Sequence, residues 1–102
     1  MRFLLKVNMT VESGNAAKAG KLGTTISSIL AELKPEAAYF TATNGQRSGF
    51  IFLEMQDTSQ IPTIAEPWFL AFNASIEIYP VMIPDDLAKA GSAIDKAVKK
   101  YT

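Results

Sequence analysis

An α+β domain built on a four-stranded antiparallel sheet is the fold this sequence predicts, and three observations predict it. Apolar residues alternate with mostly polar ones at Phe3, Leu5, Val7, Met9 and Val11, the period of a strand with one buried face. They then recur at steps of three and four through Ala19, Leu22, Ile26, Ile29, Leu30 and Leu33, which lines one side of a helix. The two periods follow one another as strand, helix, strand, strand, helix, strand, with a further helix at the end.

Each element carries its own signals. Ser13-Gly14 offers a start for the first helix, Gly20 and Gly23 each weaken it by about 1 kcal/mol relative to alanine, and Pro35 ends it. Glu36 to Thr43 is the second strand, rich in threonine and aromatic residues. Asn44-Gly45 follows, a hairpin turn in which both residues accept positive φ. The third strand, Ser48 to Met55, is apolar on both faces through Phe50-Ile51-Phe52-Leu53, so both of its faces should be covered. Asp57, Thr58 and Ser59 are N-caps for the second main helix, and Pro62 suits only its first turn. Pro67 should break or kink that helix ahead of Trp68, and Asn73 should stop it. Ser75 to Val81 alternates again, and Pro80, which has no ladder donor, places this fourth strand at a sheet edge. Pro84-Asp85-Asp86 opens the last helix, with acids where the helix dipole favours them. Leu87, Ile94, Val98 and Tyr101 form its apolar stripe.

Right-handed crossovers turn this order into a ferredoxin-like βαββαβ sheet of strand order 4-1-3-2, with an added C-terminal helix. Residues 1–102 form one domain in this reading, a size at which a chain buries about 60–70% of the surface it exposes when unfolded. The helices pack on one face, whose expected residues are Phe3, Leu5 and Val7, Ile51, Leu53 and Met55, and Ile76 and Ile78. The other face holds Leu4, Lys6, Asn8 and Thr10, Tyr39 and Thr41, Phe50, Phe52 and Glu54, and Glu77, Tyr79 and Val81. It is too apolar for open water and too polar for a core, which marks an interaction surface.

Composition excludes whole classes of chemistry. There is no cysteine and no histidine. That removes disulfides, zinc held by cysteine, thiol nucleophiles and imidazole acid–base catalysis. Ten basic and ten acidic residues cancel, so no broad positive field attracts nucleic acid or an anionic membrane. The N-terminal apolar run stops at Lys6, shorter than the roughly 7–15 residues of a signal peptide. A cytoplasmic location is expected, with no metal and no cofactor.

The element order, the appended helix and the half-apolar second face resemble the dimeric α+β-barrel superfamily, in which two ferredoxin-like sheets pack face to face. The segment Pro67-Trp68-Phe69-Leu70-Ala71-Phe72-Asn73, running on to Tyr79-Pro80-Val81-Met82, is similar to uncharacterised small bacterial members. The resemblance implies a homodimer formed through the sheet face. It also implies either a module that binds a small aromatic or apolar molecule, or a cofactor-independent monooxygenase or isomerase acting on an aromatic or lactone substrate. The sequence does not decide between module and enzyme, and no catalytic residue can be assigned.

The candidate ligand-binding residues are Lys6, Asn8, Tyr39, Glu54, Trp68 and Tyr79. Lys6, on a central strand, is expected near Glu54 and Glu77, either as an anchor for an anionic substrate or as half of a structural ion pair. Trp68 with Tyr39, Tyr79, Asn8 and Arg47 resembles the monooxygenase branch of that superfamily only in offering Asn, Trp and Tyr, which there hold a phenolic substrate; otherwise Trp68 is a core residue beneath a kinked helix. Gly49-Phe50-Ile51-Phe52 partly echoes the aromatic third strand of RNA-recognition domains. Ser48 replaces the basic residue of that motif and Met55 its final aromatic, so RNA binding ranks third and no nucleic-acid partner is expected.

Overall fold

The alternating segments are strands in a computed structural model that describes residues 1–16 and 21–102. Strands β1 (Arg2–Asn8), β2 (Ala37–Thr43), β3 (Gln46–Glu54) and β4 (Ser75–Pro80) form one antiparallel sheet in the order β2-β3-β1-β4. Read from the opposite edge, this is the expected 4-1-3-2. Pro80 sits on edge strand β4, where its missing N–H costs no bond to a further strand. Asn44 and Gly45 join β2 to β3 with φ of 56° and 72°, the left-handed pair a two-residue hairpin needs.

Five α-helices accompany the sheet among the described residues: α1 (Val11–Ala16), α2 (Lys21–Leu33), α3 (Ile61–Phe72), α4 (Pro84–Lys89) and α5 (Gly91–Tyr101). Three local readings are corrected here. The first helix begins at Val11, not at Ser13-Gly14, because the Thr10 hydroxyl accepts from the Ser13 amide at 3.0 Å and caps the turn early. Helix α3 runs through Pro67 without breaking. Its face of Ile64, Ala65, Trp68 and Phe72 is buried on both sides of the proline, and that packing outweighs a penalty of about 3 kcal/mol. The last helix is two, divided at Ala90. Ala19 and Gly20, read as part of the first long helix, lie outside the described residues.

The helix stops follow the expected chemistry. Lys34 and Asn73 take positive φ after α2 and α3, and the Asn73 amide donates back to the Phe69 carbonyl at 3.0 Å. The Asp57 carboxylate accepts from the Ser59 amide and opens the short 3₁₀ turn Thr58–Gln60 that leads into α3.

The core lies between one face of the sheet and helices α2 and α3. Leu5, Val7, Ile51, Leu53 and Met55 from the sheet side meet Ile29, Ile64, Trp68 and Phe72. These are the strand residues the alternation assigned to the helix-covered face. The opposite face carries Lys6, Phe50, Phe52, Tyr39 and Tyr79, and Tyr39 and Tyr79 on it are exposed. Neither α4 nor α5 has a buried residue. They extend the molecule to 58 Å along its long axis, against 28 and 20 Å across. Among the described residues no helix is long and apolar enough to cross a membrane.

Candidate functional site

Strand parity decides where each candidate residue goes. β1 presents odd-numbered residues to the helices and even-numbered ones to the open face. β3 pairs with it in the register Lys6 opposite Phe50 and Val7 opposite Gly49, so its parity is the same. Lys6, Asn8, Tyr39, Glu54 and Tyr79 therefore share the open face. Trp68 lies on the other side of the sheet, 1% exposed within the core. The six residues do not form one site, and the open-face polar groups cannot reach the indole through the backbone.

On the helix-covered face there is a cavity of about 200 Å³. Its floor is Val7, Met9 and Gly49 of the sheet side, its roof Leu22 and Ile26 of α2 with Trp68 of α3, and its edge Phe40 of β2. Gly49 makes this space. A Cβ there would stand 3.0 Å from Phe40 Cε1, so any larger residue would push the Phe40 ring back, and glycine lets it lie close across the strand. Thr41, Ser48 and Arg47 complete the lining. Arg47 is exposed and forms the polar rim. One of its guanidinium nitrogens donates to Asn15 Oδ1 at 3.2 Å, and another occupies the space beside Gly14 where a Cβ would sit at 2.4 Å.

One polar atom stands out in this apolar setting. The Trp68 indole Nε1–H is buried and has no hydrogen-bond partner among the described residues. An unpaired donor inside a protein costs about 1–3 kcal/mol, and a buried indole usually finds an acceptor. Trp68 also packs on Phe72, ring centres 6.2 Å apart and tilted by 33°, so its position is set by the core.

The open face holds a different kind of chemistry. Lys6 Nζ lies 3.9 Å from Glu77 Oε2, and the Tyr79 hydroxyl donates to the same oxygen at 2.8 Å. That bond, with some burial and the Glu77 charge, holds the Tyr79 hydroxyl above the usual phenol range. Glu54 is not beside Lys6 as expected. It pairs with Arg2 in the register and binds the Met1 amine at 2.9 Å, four residues or about 13 Å from the Lys6 position. Arg2 forms a two-point bond to Glu36 at 2.7 and 3.1 Å, which lowers the Glu36 carboxyl from its usual range.

Asn8 Oδ1 accepts from the Ser48 hydroxyl at 3.0 Å, and Ser48 in turn lies 2.5 Å from the Thr43 hydroxyl. Lys6, Asn8, Asn44, Ser75 and Glu77 border a hollow of only about 50 Å³. Tyr39 and Tyr79 stand on opposite edge strands, roughly 14 Å apart across three strand spacings. These residues form a polar lattice rather than a pocket.

Sequence reasoning missed Phe40 and Gly49 as cavity residues. A glycine inside an apolar strand is the signal that was there to read, since it marks a close approach of another group. Among the described residues no group of three or more acidic side chains is placed to hold a metal ion.

A family model described as a domain of unknown function, DUF3303, matches residues 1–95, nearly the whole chain. No curated protein matches it. The chain belongs to the DUF3303 family.

Proposed function

We propose that this member of the DUF3303 family is a small-molecule binding module that holds a small aromatic or apolar ligand between its sheet and its helices, as a ferredoxin-like domain paired through the open sheet face. Trp68 carries this reading, because it lines an apolar cavity of about 200 Å³ and its buried indole N–H has no partner among the described residues. Engineered apolar cavities of about 150 Å³ take up benzene, so this one suits a single substituted ring. Pockets of this kind combine apolar walls with a few placed polar groups. Here those groups are the indole donor and the Arg47 guanidinium at the rim, both of which call for an acceptor on the ligand, a carbonyl, phenolate or carboxylate oxygen.

The pairing rests on the half-apolar open face, where Tyr39 is 64% exposed beside the partly buried Phe50. Lys6, Asn8, Glu54, Tyr39 and Tyr79 belong to that face in this reading, as contacts between two copies. Only Trp68 of the sequence candidates touches the ligand.

Trp68 is the sole tryptophan, so its emission reports on the cavity without a label. Titration with small phenols, naphthoquinols and lactones should give a saturable change for at least one class, abolished by filling the cavity with Gly49→Val. Turnover of the bound compound in metal-free buffer would move the protein to the cofactor-independent enzymes. A change with single-stranded RNA alone, weakening steeply with salt, would replace the proposal by nucleic-acid binding. Silence throughout would end it.

A further inference from the structure

Helices α4 and α5 form an arm with an apolar stripe and no buried residue. Leu87, Ile94, Val98 and Tyr101 are between 46% and 76% exposed. The arm lengthens the chain to 58 Å and raises its radius of gyration to 17.2 Å, where a compact domain of this size has about 13 Å. An isolated helix of 11 residues is below the roughly 12–15 at which even favourable sequences hold together in water. Its helical state therefore calls for a surface that covers the stripe.

We infer that this surface is a second copy of the same chain, and that each arm packs across the junction onto the other copy. The inference deepens the sheet-face pairing proposed above and rests on it. Area is the first argument. A fully buried apolar side chain removes about 60–120 Å² from water, so the half-exposed Tyr39, Tyr79 and their neighbours on the sheet supply on the order of 300–400 Å². That is at most half of the about 800 Å² per partner that a stable interface buries. The arm adds a similar area, and the two together come to roughly 600–800 Å².

Continuity is the second argument. The exposed Tyr79 of β4 leads through Met82 and Ile83, both exposed, into Leu87, so sheet face and arm form one apolar track along the chain. The Val81 amide donates to the Arg2 carbonyl at 3.1 Å, which fixes the direction in which the arm leaves the sheet. Charge is the third. Basic and acidic residues balance at ten each, so no net repulsion opposes association of identical chains. Lys96 and Lys99 lie off the stripe, and the Lys100 ammonium sits 5.3 Å from the Tyr101 ring centre at the stripe's C-terminal end, so the Leu87, Ile94 and Val98 part of the docking side is uncharged.

Sedimentation equilibrium of the full chain tests this, with Ile94→Glu/Val98→Glu as the variant and Lys96→Glu/Lys99→Glu as the control on the polar side. The wild type should be a dimer at micromolar concentration, and its far-UV helical signal should fall on dilution to monomer. The stripe variant should dissociate about a hundredfold more readily, which corresponds to losing two apolar contacts, with Trp68 emission unchanged. The control should stay within about threefold of wild type. A stripe variant that pairs as tightly as wild type overturns the arm contact and leaves the sheet-face pairing standing. A wild type that stays monomeric at high concentration, its arm folded back on its own sheet included, overturns both. Should the double variant lose its Trp68 signal, Ile94→Ser and Val98→Ser carry the same test singly, and unchanged pairing in both overturns the arm contact.

Discussion

The two faces of the sheet are made from the same four strands, yet they differ in almost every physical respect. The buried part of the helix-covered face is apolar, with Leu5 and Ile51 fully buried in one cluster with Trp68, and Arg47 stands at its exposed edge. Among the described residues its unpaired buried side-chain donor is the indole N–H of Trp68, a residue that lines the cavity. The open face mixes Phe50 and Tyr79 with Lys6, Glu77 and an Asn8–Ser48–Thr43 chain of hydroxyl and amide contacts. A face covered by its own chain can be wholly apolar because it never meets water. A face that meets water must survive that exposure, so it keeps polar groups that are satisfied within the sheet.

The largest expected effect is on the covered face. Trp68→Ala should cost about 3–5 kcal/mol in chemical denaturation, because the helix cannot collapse into so large a void. Trp68→Phe should cost much less, since it keeps the ring and removes the unpaired donor. If the two substitutions were equally harmful, the indole N–H would have a partner and the cavity reading would fail.

On the open face the effects should be smaller. Lys6→Met should change stability by no more than about 1 kcal/mol, the usual worth of a half-exposed ion pair. Lys6→Ala should be the worse of the two, because it also removes the aliphatic stem that covers the sheet. Equal melting curves for both variants and wild type would mean that Lys6 is simply solvated.

The smallest effect separates the faces by pH. The Glu36 carboxyl is lowered by Arg2, and the Asp57 carboxyl by the Ser59 amide. Each therefore contributes stability above the ordinary carboxylate range that is lost as pH falls through its lowered folded value. Tyr79 is raised by its bond to Glu77, so its contribution is present below the ordinary phenol range and is lost as pH rises through the raised value. Arg2→Gln should flatten the acid limb of a pH–stability profile, and Tyr79→Phe the alkaline limb. The covered face has no such group among its buried residues, so Trp68 emission should hold steady until the protein unfolds.

Much of this was legible in the residues themselves. Period two in β1 and β4 identified the core face, and Asn44-Gly45 and Pro80 located the hairpin and an edge. The site was less legible, for a physical reason. A strand residue's face follows from counting, but a helix residue's neighbours depend on how the helix docks, so Trp68 was grouped with residues that lie across the sheet from it. Glu54 was misplaced beside Lys6 because register, which pairs it with Arg2, follows from the turn and not from composition. At Pro67 the local cost is visible in the sequence, while the packing that keeps the helix unbroken is not.

What the Trp68 indole faces decides whether the cavity binds a ligand, and one resonance reports on it. In a ¹⁵N-labelled sample the single indole N–H gives one isolated signal. With a small phenol or aromatic acid added, it should move downfield and saturate, as an unpaired donor gains an acceptor, while amides of Lys6 and Tyr79 on the far face stay where they were. An indole signal that does not respond, with shifts confined to Lys6, Asn8 and Tyr79, would place the ligand on the open face and contradict the account.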